Sequence, residues 1–185
     1  FRAARYEEAR QGFEALREIR RDTDYGAYLG PTYYKLGRFE DARLALAPAY
    51  RRGDQDPVAT YYLALTYYRL GFQQLARRAF EEIQRGQPGS KLGTGAQRFL
   101  EELARSTDRL GTEPIAAFVT NLEAVAPDLA FDYAMEAMLR ATTAREIQSS
   151  DQLVSRLLRG RLAEARAYAT RLAGHSLPGA PEATR

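Results

Sequence analysis

The chain has 185 residues, 45% hydrophobic and 28% charged, with a formal net charge of +3. That length can bury a core in one domain or one short solenoid, and no apolar run approaches the roughly 18–20 residues that cross a bilayer. Cysteine is absent, which excludes disulfides, thiol nucleophiles and Cys-ligated zinc, and fits either a cytoplasm or an envelope compartment.

The first predicted element is a helix over 5–22. Tyr6, Ala9, Phe13 and Leu16 share one face, with Glu7-Glu8 early and Arg20-Arg21 late, as the helix dipole favours. Asp22-Thr23-Asp24 offers a stop and the next N-cap. A second helix over 24–36 is interrupted by Gly30-Pro31. An internal proline costs about 3 kcal/mol, so a kink, or a start near Gly30, is predicted. Gly37 closes it as a left-handed cap. The next helix, 38–52, turns Phe39, Ala42, Leu46 and Ala49 inward and bends at Pro48. Gly53 to Asp56 is a turn, and Pro57 suits the first position of the following helix. Residues 57–70 and 72–86 repeat the pair without internal proline. Gly86 to Ser90 ends it, and a helix over 93–105 with Phe99, Leu100 and Leu103 reads as a cap on the open face.

Beyond Gly111 the pattern loosens. Ile115, Phe118, Val119 and Leu122 form an amphipathic stripe ending before Pro127. Asp128 is read as the cap of a helix carrying Phe131, Met135, Met138 and Leu139. Ser150 or Asp151 is read as the cap of another, with Leu153, Val154, Leu157 and Leu158. The run Gly160 to Arg166 echoes Gly37 to Arg43 and opens a helix through Ala169 and Leu172 to Gly174. His175 to Arg185, rich in Pro, Gly and Ala, is expected to be a disordered tail. Apolar and polar residues do not alternate, so no strand is predicted.

One stretch occurs twice. Tyr33-Tyr34-Lys35-Leu36-Gly37 returns 34 residues later as Tyr67-Tyr68-Arg69-Leu70-Gly71. In the same register Leu29 pairs with Leu63, Gly30 with Ala64, Ala42 with Ala76 and Leu46 with Phe80. A fixed period in the range of roughly 20–50 residues is the mark of stacked repeats, in which one unit cannot bury its apolar face alone.

Gly26-x2-Leu29-Gly30-x2-Tyr33 with Ala42-x3-Leu46 resembles the tetratricopeptide (TPR) signature. Thr60-x2-Leu63-Ala64-x2-Tyr67 with Ala76-x3-Phe80 and Pro88 resembles it more closely. The tryptophan position of that signature holds Gly26 and Thr60. Residues 5–22 look like the second helix of a preceding repeat, and Gly160 to Leu172 like another. The resemblance implies an all-α fold: a right-handed superhelix of antiparallel helix pairs with additional C-terminal helices. Its expected division is 1–109 as repeats plus capping helix, 110–174 as further helices, either degenerate repeats continuing the superhelix or a separate helical lobe, and 175–185 as tail. It also implies a concave face lined by the first helix of each pair. On that face the partner-binding candidates are Tyr34 and Lys35 in one repeat and Tyr61, Leu65, Tyr68 and Arg69 in the next, beside Ala27 and Pro31. Family members that clamp a carboxyl terminus add asparagines. Asn121 is the only one here and lies outside the repeats, so that activity is not carried over.

Nine of the 12 tyrosines fall between Tyr25 and Tyr68. Core packing needs Tyr33 and Tyr67. It does not obviously need Tyr34, Tyr61, Tyr62 and Tyr68, which read as a recognition surface of large rings with polar tips. The competing reading packs these rings within and between repeats. Lys35 and Arg69 suit an acidic partner, or are simply solvated charges at helix ends.

The expected function is a non-catalytic protein-interaction module or scaffold that binds a peptide or helix of another protein. The alternatives are a structural subunit of a larger envelope or membrane-associated assembly, and, remotely, an enzyme with an unrecognised site. No catalytic residue, cofactor or metal is predicted. His175, the single histidine, lies in the tail, and the pairs Glu7-Glu8, Glu81-Glu82 and Glu101-Glu102 diverge on a helix. Gly89 to Gly93 reads as a flexible turn rather than a phosphate loop. Arg77-Arg78 followed by Glu81-Glu82 reads as a solvated face, so no nucleic-acid partner is expected. The Arg-heavy, Lys-poor composition suggests a bacterial source. The start at Phe1, inside a helical pattern, suggests a processed or truncated product with an anchor or signal peptide upstream.

Overall fold

The glycines that end the tyrosine-rich helices set the frame. In the computed structural model, which describes residues 2–20, 24–53, 56–105, 119, 127–141, 143–157 and 159, Gly37 and Gly71 have φ of 75° and 84°. A side chain would be strained there; glycine is not. At Gly71 the Phe72 N–H donates to the Tyr67 carbonyl at 2.9 Å and the Gly71 N–H to the Tyr68 carbonyl at 3.3 Å. This is the Schellman arrangement, and Phe72 supplies its usual apolar contact by meeting the Tyr67 ring at 5.8 Å. At Gly37 the same two bonds recur, from Arg38 to Tyr33 at 2.9 Å and from Gly37 to Tyr34 at 3.0 Å. There the Arg38 guanidinium lies over the Tyr33 ring, 4.9 Å from its centroid.

Around these turns run α1 (Arg2–Ile19), α2 (Gly26–Lys35), α3 (Phe39–Arg52), α4 (Pro57–Leu70), α5 (Gln73–Gly86) and α6 (Lys91–Arg105). Asp56 caps α4, accepting the Val58 N–H at 2.9 Å, with Pro57 at the first position as expected. Ser90 caps α6 by accepting the Gly93 N–H at 3.0 Å. The helix therefore starts two residues before its predicted onset, and Gly89 to Gly93 is a cap and first turn rather than a flexible loop. The expectation of a start near Gly30 is corrected. Asp24 accepts the Gly26 N–H at 2.8 Å, and α2 runs from Gly26 through Pro31. The proline forfeits its bond to the Ala27 carbonyl, at about 3 kcal/mol. Burial of Leu29 and Tyr33 on either side, at about 1.5–3 kcal/mol each, offsets it.

From α1 to α6 each helix packs on the next, and α2 also packs on α4, and α4 on α6. The positions paired by the repeat are the core. Leu29, Ala42, Leu46, Leu63, Ala64, Ala76 and Phe80 are all buried, as are Tyr33 and Tyr67. Close approach explains the small ones: a methyl on Gly30 would fall 2.2 Å from Leu46 Cγ. Two contacts join α1 to α2. The Tyr33 hydroxyl donates to Glu14 at 2.6 Å, and Phe13 stacks on Tyr28 at 5.3 Å. Arg10 pairs with both Glu7 and Glu14.

The chain divides into two units, Phe1–Thr107 and Asp108–Arg185. In the second, α7 (Pro127–Arg140) packs on α8 (Ala144–Leu157). Val119, Ala130, Phe131, Ala134 and Val154 form its core, with Met135 packed against them and Met138 buried. Neither predicted cap stands. Asp128 lies inside the first turn of α7, behind Pro127. Ser150 and Asp151 lie inside α8, Ser150 buried. The start of α8 is set by Thr143 and Glu146. The Thr143 hydroxyl accepts the Glu146 N–H at 3.3 Å, and the Glu146 carboxylate accepts the Thr143 N–H at 3.0 Å. This reciprocal capping box satisfies two donors that a helix end otherwise leaves open. Buried Glu136 takes its charge partner from Arg140 one turn on, at 2.9 Å. The stripe members Ile115, Phe118 and Leu122, the helix predicted from Gly160 and the tail lie outside the described residues. Among the described residues the fold is all-α, with no strand.

Candidate functional site

The six candidate residues all come from α2 and α4, and α3, α5 and α6 supply their surroundings. Tyr34 and Tyr68 occupy the same register position. Each carries a ring from its own helix toward the next first helix. Tyr34 meets Tyr62 of α4 at 5.6 Å, inclined by 64°, and Phe39 at 5.4 Å. Its hydroxyl accepts from the Arg69 guanidinium, which that bond holds firmly protonated. Arg69 also lies over the Phe39 ring at 5.9 Å. Tyr68 meets Phe99 of α6 at 5.3 Å, and its hydroxyl donates to Glu102. That bond, before burial, pushes the Tyr68 phenol above its usual range.

Tyr61 stands at the middle. Its ring meets Phe80 at 5.8 Å and Tyr62 at 6.3 Å. Its hydroxyl reaches across Gly95 of α6, where a methyl would fall 2.5 Å from the oxygen. Burial, then the neighbouring Tyr34 and Tyr62, raise its pKa, while Lys35 and Arg98 act in the opposite direction. The Lys35 ammonium sits 5.5 Å from the Tyr62 centroid. Tyr34, Lys35 and Tyr61 thus gather around Tyr62, and Arg69 joins them through Tyr34 and Phe39. Tyr68 is turned to Glu102 and Phe99. Leu65 is 8% exposed and offers almost no surface to a partner, because it faces the packed interior of the layer.

The tyrosine faces are largely occupied by neighbouring helices, so the rings bridge helices first. Tyr34, Tyr61, Tyr62 and Tyr68 nonetheless stay half-buried rather than sealed. Tyr62, read from the sequence as part of the recognition surface though not among the six candidates, lies at the centre of the cluster. Arg98 had no signal, because α6 departs from the tyrosine register.

Arg10, Arg38, Arg43, Arg52 and Arg140 each pair with a carboxylate. Lys35 and Arg69 lie beside the rings of Tyr62 and Phe39, and Arg98 acts electrostatically on the Tyr61 hydroxyl. Lys35, Arg69 and Arg98 are exposed.

Two small cavities lie apart from this cluster. One, of about 230 Å³, opens between the start of α4 and the end of α5, beside Pro57, Glu82 and Gln87. The other, of about 150 Å³, is bounded by Asp24, Tyr50 and Asp56. None of the six candidates lines either. Among the described residues no three His, Cys, Asp or Glu side chains are grouped to hold a metal ion, and no helix is long and apolar enough to cross a membrane. Comparison of the chain with protein-family models, with curated proteins and with solved structures returns no match.

Proposed function

We propose that the chain is a TPR-type helical repeat, without catalytic function, whose α2–α4–α6 face captures a peptide or helix of another protein. The observation that carries this reading is the direct packing of α2 on α4 and of α4 on α6, with tyrosines of one register crossing each junction. Stacked first helices give a continuous surface that grows with repeat number, which is the geometry helical repeats use for binding. The half-buried rings supply large, rigid contact area at low entropic cost.

Site-specific photo-cross-linking tests it. A benzophenone side chain at Thr94, exposed on α6 and on the face of Arg98, should trap a partner from native extract. The same group at Leu44, exposed on α3, should trap little. Trapping from Leu44 alone would overturn the assignment of the face.

A second reading, a subunit of a larger assembly, is favoured by apolar exposure at the α1 end. Ile19 is 77% exposed, Tyr28 60% and Leu16 42%. Light scattering decides: a stable monomer at tens of micromolar argues against an obligate subunit.

A further inference from the structure

We propose that α1 is a docking seat for a helix of another protein, one that carries the pattern of α2 and α4: small-x2-Leu-small-x2-Tyr. This rests on the helical-repeat reading, though not on the α2–α4–α6 capture face, and names what covers the α1 end. Ala9-x3-Phe13 of α1 repeats Ala42-x3-Leu46 of α3 and Ala76-x3-Phe80 of α5. The four later residues are sealed, at 2% exposure or less, whereas Ala9 and Phe13 are half-buried. The difference lies in the cover. Over α3 it is α2: a methyl on Gly26 would fall 2.3 Å from the Ala45 carbonyl oxygen, as one on Gly30 would clash with Leu46. Over α5 it is α4, whose Tyr61 ring meets Phe80. In this register Gly12 stands where α5 has buried Ala79, and Leu16 where α5 has buried Ile83. Yet a methyl on Gly12 would meet nothing within 4 Å, and Leu16 and Ile19 are exposed.

A ring on α2 points to the same place. Tyr28 of α2 and Tyr62 of α4 hold one register position. Tyr62 is covered from the preceding first helix by Tyr34 and Lys35, at 5.6 and 5.5 Å. Tyr28 stacks on Phe13 but lacks that second cover, and stays exposed. One helix laid along α1 and beside α2 covers Gly12, Leu16 and Tyr28 together, and adds one member to the row of first helices. The small positions of its pattern permit the close approach that Gly26 and Gly30 give α2, and its closing tyrosine matches the register from which Tyr34 reaches Tyr62. Taking Leu16 and Ile19 out of water drives the docking. A second copy of this chain fits less well, because its α2 and α4 are already seated on α3 and α5.

The test is fluorescence anisotropy with a labelled peptide of the α4 sequence, Asp56 to Gly71, and the same peptide carrying Leu63→Asp and Tyr67→Asp. The wild-type chain should bind the first and ignore the second. Gly12→Glu with Leu16→Glu should weaken binding about tenfold or more. Leu44→Glu with Val58→Glu adds the same charge at exposed sites on α3 and α4, and should leave affinity within about twofold. Circular dichroism melting confirms that both variants fold. Equal weakening by the two pairs, equal binding of the two peptides, or no binding of the α4 peptide would each overturn the proposal. So would self-association in light scattering that the α1 variant abolishes, since a second copy would then hold the seat. If the peptide fails while a partner still cross-links from Thr94, the seat falls and the repeat with its capture face stands.

Discussion

The hairpins α2–α3 and α4–α5 obey one register with different side chains. Where the first sets Gly30 and Leu46, the second sets Ala64 and Phe80, and both pairs are buried. Where the first closes its turn with Arg38 over Tyr33, the second uses Phe72 against Tyr67. The first carries Pro31 and Pro48 inside its helices; the second carries no internal proline. The register thus dictates which positions are small and which are large, while the size at each is set by how closely the local helices approach.

The largest blow to this symmetry should come from Phe80→Ala. Its ring stacks on Phe99 at 5.0 Å and meets Tyr61, so one deletion opens the junction of α4, α5 and α6. A loss of about 3–5 kcal/mol is expected in urea unfolding, at the upper end of what Leu46→Ala produces. The small positions sharpen the contrast. Gly30→Ala forces a methyl into Leu46 and should cost about 1–3 kcal/mol, although alanine is the better helix former. The converse change, Ala64→Gly, should cost only about 0.5–1 kcal/mol. Similar losses at both sites would mean the two hairpins approach equally closely.

A further small effect concerns the α1–α2 contact. Tyr33→Phe removes one partly screened hydrogen bond and should cost about 1 kcal/mol at neutral pH. Its signature lies in pH dependence. The Tyr33 bond, ahead of Arg10, holds the Glu14 carboxyl below its usual 4.5, so that stabilisation is present above this pH and fades as pH falls below it. Burial, then the Glu14 bond, pushes the Tyr33 phenol from 10.0 up to about 12. The neutral phenol is favoured by folding, so its contribution is present below pH 10.0 and is lost as pH rises toward 12. The variant should show a smaller alkaline edge, since the raised phenols of Tyr61 and Tyr68 remain, and a shallower acid edge. Unchanged edges would show that Tyr33 does not control this contact.

Much of the amino-terminal fold was legible because two signals agreed: the helical spacing of Leu29 and Tyr33, and their return at Leu63 and Tyr67. Gly37, Gly71 and Pro57 punctuate in ways that are local to the chain. Pro31 misled because its cost is local while its compensation, the burial of Leu29 and Tyr33, is tertiary. Ser150 misled because a hydroxyl before an apolar run resembles a cap. The pattern Thr143-x-x-Glu146 was the fuller signal and was readable. For the site, the positions of Tyr34, Tyr61 and Tyr68 followed from the repeat, but their surroundings did not. Whether Tyr68 faces water depends on Phe99 and Glu102, in a helix that abandons the tyrosine pattern. The same departure hid Arg98.

The glycine turns carry a kinetic consequence. Gly37 and Gly71 reverse the chain within a few residues and hold that reversal with bonds made by their immediate neighbours. Short-range closure has little loop entropy to overcome, so either hairpin can form before any distant segment is in place. A chain assembled this way should collapse fast and in pieces, each finished hairpin serving as the template on which its neighbour condenses.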